Sequence, residues 1–179
     1  LKEVHLDLPE KIYMTQAVEL SPEGSLAYEE IRQAAATEYR QNRNFAVLMK
    51  LRMFCTHPFL VNKPLGDPAQ VSTKYRRLRE ILSEIIHNRH KAIIFTSFTR
   101  MIDIIISDLK TNFGVYCDFI DGRTPQEDRV PLTERFNELE EPAVLVLNPK
   151  AAGTGLNITG ANHVIHYNLE WNPAVEDQA

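Results

Sequence analysis

The sequence is poor in several features, and each scarcity removes a class of protein. Only two cysteines, Cys55 and Cys117, stand among 179 residues. Both lie in apolar stretches, with no CxxC pair and no Cys/His cluster. That excludes a disulfide framework and a zinc module, and the expectation is two reduced, buried thiols. No apolar run approaches the roughly 20 residues needed to span a bilayer, and Leu1-Lys2-Glu3 opens nothing like a signal peptide. Charge of one sign is scarce too: 20 Lys and Arg against 24 Asp and Glu give a net charge of −4. No global field therefore draws the chain to nucleic acid, and any such contact needs a local basic surface. There is no internal repeat and no low-complexity tract. The expected setting is cytoplasmic, and the lack of terminal signals reads as a piece of a longer protein.

What is present is ordinary in amount and ordered in pattern. With 44% hydrophobic and 25% charged residues, the chain can build one sizeable core plus an appendage. Turn formers gather at Asn62-Lys63-Pro64-Leu65-Gly66-Asp67-Pro68, which predicts a linker near residues 62 to 72. Before it, Ser21-Pro22-Glu23 supplies a helix cap with proline at the first position, followed by Tyr28, Ile31, Ala35 and Tyr39 at helical spacing. A second helix is expected from Phe45 to Thr56, ended by Pro58.

After the linker, strands alternate with helices. An amphipathic helix presents Tyr75, Leu78, Leu82, Ile85 and Ile86 on one face. Four short runs follow: Ala92 to Phe95, Val115 to Ile120, Ala143 to Leu147 and Val164 to Tyr167. Each is apolar with little alternation, as expected of strands buried on both faces of a parallel sheet. Helices from about Thr99 to Asn112 and from about Pro125 to Leu139 separate them, giving repeated βαβ units. The last helix is expected to start with a capping box of Thr124 and Glu127, and Pro131 inside it to remove one hydrogen bond.

In an open parallel sheet, ligands bind beyond the carboxyl ends of the strands. The unusual residues fall there: Ser97-Phe98-Thr99-Arg100, Asp121-Gly122-Arg123-Thr124, Asn148 to Asn157, and Asn168 to Pro173. The stretch Ala151-Ala152-Gly153-Thr154-Gly155 puts small residues where a backbone must come close to another chain or to a ligand, and its amides suit a phosphate. Taken alone, tight packing of a turn explains it better than ligand binding, and a lone tryptophan such as Trp171 is more often a core or interface anchor than a functional ring. The first βα turn, Thr96-Ser97-Phe98-Thr99, has no G-x-G-x-x-G, which counts against a Rossmann-type nucleotide binder.

The order of these segments resembles the Snf2 family of superfamily 2 helicase-like ATPases, over nearly the whole chain. Lys91 to Thr99 is similar to helicase motif IV, and Asp121-Gly122-Arg123-Thr124 with Arg129 and Arg135-Phe136-Asn137 to the adjoining block. Ala151 to Asn162 is similar to motif V, and His163 to Pro173 with Gln178-Ala179 to the stretch entering motif VI, in a wording that looks bacterial. Leu51 to Leu60 is similar to a helical block between the family's two lobes. The implied fold is a RecA-like α/β lobe spanning 73–179, preceded by an interlobe helical segment over 1–62 and a linker over 63–72.

The resemblance implies a motor on double-stranded DNA in which a first lobe holds ATP and Mg2+ and this lobe supplies the facing wall. The chain has no GxxxxGK[ST] and no DExH box, so alone it is expected to be inactive. By motif, Gly153, Gly155, Asn157 and Gln178 would lie toward ATP and the interlobe seam. Ser97, Phe98, Thr99, Arg123 and Lys150 would face the DNA backbone, and Trp171 and Asn172 would couple the two surfaces. Structural roles stand beside these: Phe98 capping the core, Asn157 holding a turn, Arg123 solvated.

Two positions depart from the family. Asn148-Pro149 replaces a hydroxyl residue at the start of motif V and fixes φ. Arg123 stands where a small hydroxyl residue is common. The expected partners are duplex DNA and the N-terminal lobe, in the nucleoid of a bacterium or the nucleus of a eukaryote. The competing reading is a degenerate lobe that only docks onto a protein. Asn157-Ile158-Thr159 is not expected to be glycosylated in an intracellular chain.

Overall fold

The four apolar runs form strands β1 (Ala92–Phe95), β2 (Tyr116–Ile120), β3 (Ala143–Leu147) and β4 (His163–His166). A computed structural model describes residues 12–38, 43–152 and 155–169 of the chain. The strands are all parallel, in the order β2-β3-β1-β4, with Ala92 opposite both Val144 and His163. Side chains alternate across the sheet. Ala92, Ile94, Val144 and Val146 join one core, while Ile93, Phe95, Ala143, Leu145 and Leu147 join the other. The two central strands are buried on both faces, hence their unbroken apolar sequence. The edge strand β4 differs from expectation, because Val164 and His166 are exposed. A short apolar run does not by itself separate an edge strand from a central one.

On the first face lie α4 (Thr73–His87) and α5 (Thr99–Asp108). The predicted stripe of α4 holds: Tyr75, Leu78, Leu82 and Ile85 are buried, and Ile86 packs at the margin. Each buried aliphatic side chain stabilises the layer by about 1.5–3 kcal/mol. Ser72 starts α4, its Oγ accepting from the Tyr75 amide at 3.1 Å. α5 buries Met101, Ile102 and Ile105, then widens into a π-helical turn, Leu109–Phe113. It ends at Gly114, whose φ of 62° lets its amide donate to the Leu109 carbonyl at 3.0 Å.

The second face is covered by α6 (Gln126–Glu138), which buries Phe136. Its start corrects the expected capping box. Pro125, with φ −53° and ψ 147°, takes the cap position without a side-chain bond. The Thr124 hydroxyl instead accepts from the Asp121 amide at 3.1 Å, closing a turn after β2. Pro131 is tolerated because the carbonyl deprived of its donor belongs to Glu127, an exposed residue of the first turn.

The helical flank is α1 (Pro22–Glu38) and α2 (Arg43–Thr56), followed by a single turn, Pro58–Leu60. Ser21 caps α1 as expected, its Oγ accepting from the Gly24 amide at 3.0 Å. The rings of Tyr28 and Phe54 join the two helices at 6.5 Å. The side chain of Ala35 and all of Tyr39 fall outside the described residues. The stretch 62–72 is more ordered than a bare linker. Asp67 caps a short helix, α3 (Pro68–Val71), and Arg79 binds both Asp67 and Asp108. The expectation of two buried thiols is corrected: Cys55 is exposed on α2, and Cys117 is half-buried, its Sγ 3.9 Å from the Ile106 carbonyl. Apolar neighbours in sequence do not fix which way one helical residue faces.

Candidate functional site

The loops leaving β1, β2 and β3 meet along the carboxyl edge of the sheet. The last short helix, α7 (Pro149–Ala152), lies there. Asn148 organises this edge: its amide donates to the Ile120 carbonyl at 2.9 Å, its Nδ2 to the Ser97 carbonyl at 3.2 Å, and its Oδ1 accepts from the Lys150 amide at 3.0 Å. Thus the Asn-Pro departure has a local explanation. Asparagine joins the ends of three strands while capping α7, and Pro149 takes the first helical position, where no amide is needed. Ser97 and Phe98 are half-buried; Thr99 and Lys150 are exposed. Phe98 receives the Arg52 guanidinium 5.7 Å from its ring centroid.

After β2, Asp121 is fully buried yet well satisfied. Its carboxylate accepts from the Arg123 amide at 2.8 Å and from Arg123 Nε at 3.0 and 3.2 Å. Arg123 also reaches Asp103 at 2.8 Å and lies 4.9 Å from the Phe119 centroid. These carboxylates raise its pKa well above the ordinary guanidinium value. One cation between two anions leaves the group locally negative. The Arg123 side chain remains 46% exposed, at the rim of the edge.

The loop from Ala151 to Gly160 is held from behind by α6. Arg129 donates to the carbonyls of Thr124 and Ala151 at 3.2 and 3.1 Å. Asn137 donates from Nδ2 to the Asn157 carbonyl at 2.9 Å, and its Oδ1 accepts from the amides of Thr159 and Gly160 at 3.1 and 2.9 Å. Leu156 and Ile158 turn into the core, while Gly155 and Asn157 face outward. Gly155 has φ +76° with open space where a Cβ would stand, so conformation rather than crowding requires glycine there. The crowded position is Gly160, whose added Cβ would lie 2.8 Å from both the Asn137 Cα and Lys91 Nζ.

Lys91 explains that crowding. Its ammonium donates to the carbonyls of Phe136, Asn137 and Leu139 at 3.0, 3.0 and 2.7 Å, ending α6. A cation suits the negative end of a helix, and burial lowers its pKa from the ordinary lysine value. Of the residues predicted for the site, the structure brings Ser97, Phe98, Thr99, Arg123 and Lys150 to the carboxyl edge, whereas Asn157 lies toward the amino edge, where Asn137 holds its carbonyl near Lys91. Gly153, Trp171, Asn172 and Gln178 lie outside the described residues. Missed from sequence were the organising roles of Asn137, Asn148 and Lys91. For Lys91 and Asn148 the available signal was a polar side chain directly before or directly after an apolar strand; Asn137, inside α6, carried none.

A four-stranded parallel sheet of this order, with helices packed on both faces, has the architecture of a RecA-like lobe. The sequence profile described as "Helicase conserved C-terminal domain" matches residues 73–179. The chain belongs to this family, in its Snf2 branch.

Similar proteins include the "Putative ATP-dependent helicase/translocase YwqA" of Bacillus subtilis, 35% identical over 187 residues, covering 99% of this chain and 20% of that protein. The "DNA excision repair protein CSB" of Oryza sativa is 30% identical over 191 residues, covering 99% and 16%. The chain spans a fifth or less of the length of these relatives. Among solved structures, the Sulfolobus solfataricus SWI2/SNF2 ATPase core domain superposes with a TM-score of 0.77 at 27% identity, covering 88% of this chain and 34% of that one. The same core in complex with dsDNA gives 0.72 at 27%, covering 89% and 36%.

Proposed function

We propose that this chain is the C-terminal lobe of an ATP-dependent motor that moves along double-stranded DNA. The observation that carries the reading is the shared edge. Exposed Thr99 and Lys150 and half-buried Ser97 and Phe98 lie together beyond the carboxyl ends of β1 and β3, beside the start of a loop that Arg129 holds at Ala151. Membership of the Snf2 branch and the likeness to a core solved with dsDNA support it. Ser97, Phe98, Thr99, Lys150 and Arg123 follow the phosphate backbone. Gly153, Gly155, Asn157 and Gln178 face ATP and the other lobe, and Trp171 and Asn172 join the two surfaces.

The geometry of the loop fits a nucleotide wall. Gly155 offers bare backbone, and the Asn157 carbonyl is already engaged by Asn137, leaving its exposed side-chain amide to face outward. ATP binding would close the two lobes on the duplex, and hydrolysis of its β–γ phosphoanhydride bond would reopen them. Among the described residues no three His, Cys, Asp or Glu side chains gather to hold a metal. With no GxxxxGK[ST] and no DExH box in the sequence, Mg2+ and the phosphates belong to an N-terminal lobe, and this chain alone does not turn over ATP. Among the described residues no helix is long and apolar enough to cross a membrane, and the motor works where the DNA is, in nucleoid or nucleus.

A docking module is the second reading, favoured by the ion-paired state of Arg123 and the net charge of −4. Replacing Arg123 and Lys150 by alanine in the full-length protein separates the two. The motor reading expects weaker duplex binding and a log–log salt slope reduced by about 0.9 for each lost phosphate contact. Unchanged DNA binding and unchanged ATP turnover support docking instead.

A further inference from the structure

The end of α2 is tied to the carboxyl edge by a buried chain of polar side chains that neither a phosphate surface nor a nucleotide wall requires. Thr96 Oγ1 donates to Asn168 Oδ1 at 2.6 Å, and Asn168 Nδ2 donates to Thr56 Oγ1 at 2.7 Å. The Thr56 hydroxyl passes its own proton to the Arg52 carbonyl at 2.8 Å. Thr56, Thr96 and Asn168 are 1%, 0% and 8% exposed, so water does not compete. Every donor points the same way, which fixes the orientation of the Asn168 amide and lets each bond polarise the next.

Further bonds surround this chain. Tyr167 Oη donates to the Thr56 carbonyl at 2.8 Å, and Arg52 to the Leu169 carbonyl at 2.6 Å. Arg100, in the first turn of α5, donates to the carbonyls of Phe59 and Leu60 at 2.8 and 3.2 Å. The turn that ends the flank is therefore bound both to the loop after β1 and to the segment after β4. Leu60, before the expected linker, and Ala69, inside it, are buried in the same core as α4 and α5.

We infer that Asn168 is a positioning residue of the motor: held between Thr96 and Thr56, it sets the segment after β4 against the loop after β1. The end of the flank and the sheet then travel as one body. The inference rests on the motor reading, because it concerns how the DNA-facing loop and the segment leading to Trp171 and Asn172 keep their spacing. A buried polar chain adds little stability that an apolar core of equal volume would not supply. Its contribution is one fixed geometry, and displacement of a reacting arrangement by about 1 Å costs rate rather than binding.

The test uses the full-length protein with Thr56→Val, which keeps shape and removes the hydroxyl, and Thr56→Ser, which restores it. ATP turnover is measured with and without linear duplex DNA, beside the melting temperature. Thr56→Val is expected to lower the DNA-stimulated kcat about tenfold, while KM for ATP and the unstimulated rate stay within about twofold. Thr56→Ser is expected to recover most of the stimulation. Equal loss of stimulated and unstimulated rates, or stimulation equal to wild type, overturns the inference. Should Thr56→Val not fold, Thr96→Val breaks the chain at its other end and is read in the same way. A wild-type protein that duplex DNA does not stimulate overturns the motor reading itself, a result distinct from stimulation that Thr56→Val leaves intact.

Discussion

Asn137 and Gly160 stand so close that no side chain fits between them: a Cβ on Gly160 would lie 2.8 Å from the Asn137 Cα, and the Gly160 amide donates to Asn137 Oδ1 at 2.9 Å. The obstruction is backbone, so it cannot rotate away. Gly160→Ala should destabilise the chain by about 1–3 kcal/mol, as overpacking does, seen as a lower urea midpoint. Gly155→Ala meets open space, and its cost is the left-handed conformation alone, about 1–2 kcal/mol. The two also differ in kind. Gly160→Ala shifts Asn137 and with it the loop, so the amides of Thr159 and Gly160 should lose hydrogen-exchange protection. Gly155→Ala should leave that protection intact.

Arg123 is poised between Asp121 and Asp103. If the guanidinium also serves a phosphate backbone, Asp103 competes with DNA for it. Asp103→Asn should then tighten duplex binding a few-fold at low salt, and the gain should fade as salt screens exposed charges. Fluorescence anisotropy across a salt series checks this. An affinity that does not change at any salt concentration removes Arg123 from the DNA surface.

How much of this was legible in the chain depends on the range of the interaction. β1 and β3 could be read because a strand buried on both faces needs an unbroken apolar run, and Ala143 to Leu147 is one. The stripe of α4 was readable from spacing alone. The start of α6 was not: Thr124 had two possible uses, and the buried Asp121 amide took its hydroxyl. Asn168 and Thr56 are 112 residues apart, and nothing local marks either as a partner. The loop of small residues announced a close approach but not its site, which falls at Gly160 because the Lys91 ammonium is anchored at the end of α6.

His57 adds a pH dependence of known sign. Its Nδ1 accepts from the Phe59 amide at 3.1 Å, so Nε2 carries the proton shared with the Pro68 carbonyl at 3.2 Å. Burial lowers its pKa from the ordinary value of 6.5. In the folded chain the ring resists a proton that the unfolded chain accepts. Stability is therefore full above about pH 6.5 and falls as the pH drops below it, until the folded pKa is passed. His163, lowered by burial and then by the neighbouring His90, acts in the same direction. The fully buried His57 contributes a slope of up to about 1.4 kcal/mol per pH unit, and the more exposed His163 less. His57→Asn keeps a cap acceptor for Phe59 and removes the titration. Urea midpoints from about pH 7 to 5 should fall less steeply for this variant than for wild type. Parallel curves would show that His57 titrates as it does in the unfolded chain.

The central claim concerns the motor, and ATP hydrolysis by the full-length protein tests it most directly. Turnover should be slow alone and rise at least about tenfold with linear double-stranded DNA, with the stimulation weakening as salt increases. A turnover rate that duplex DNA leaves unchanged at low salt would contradict the account and leave the chain as a docking lobe.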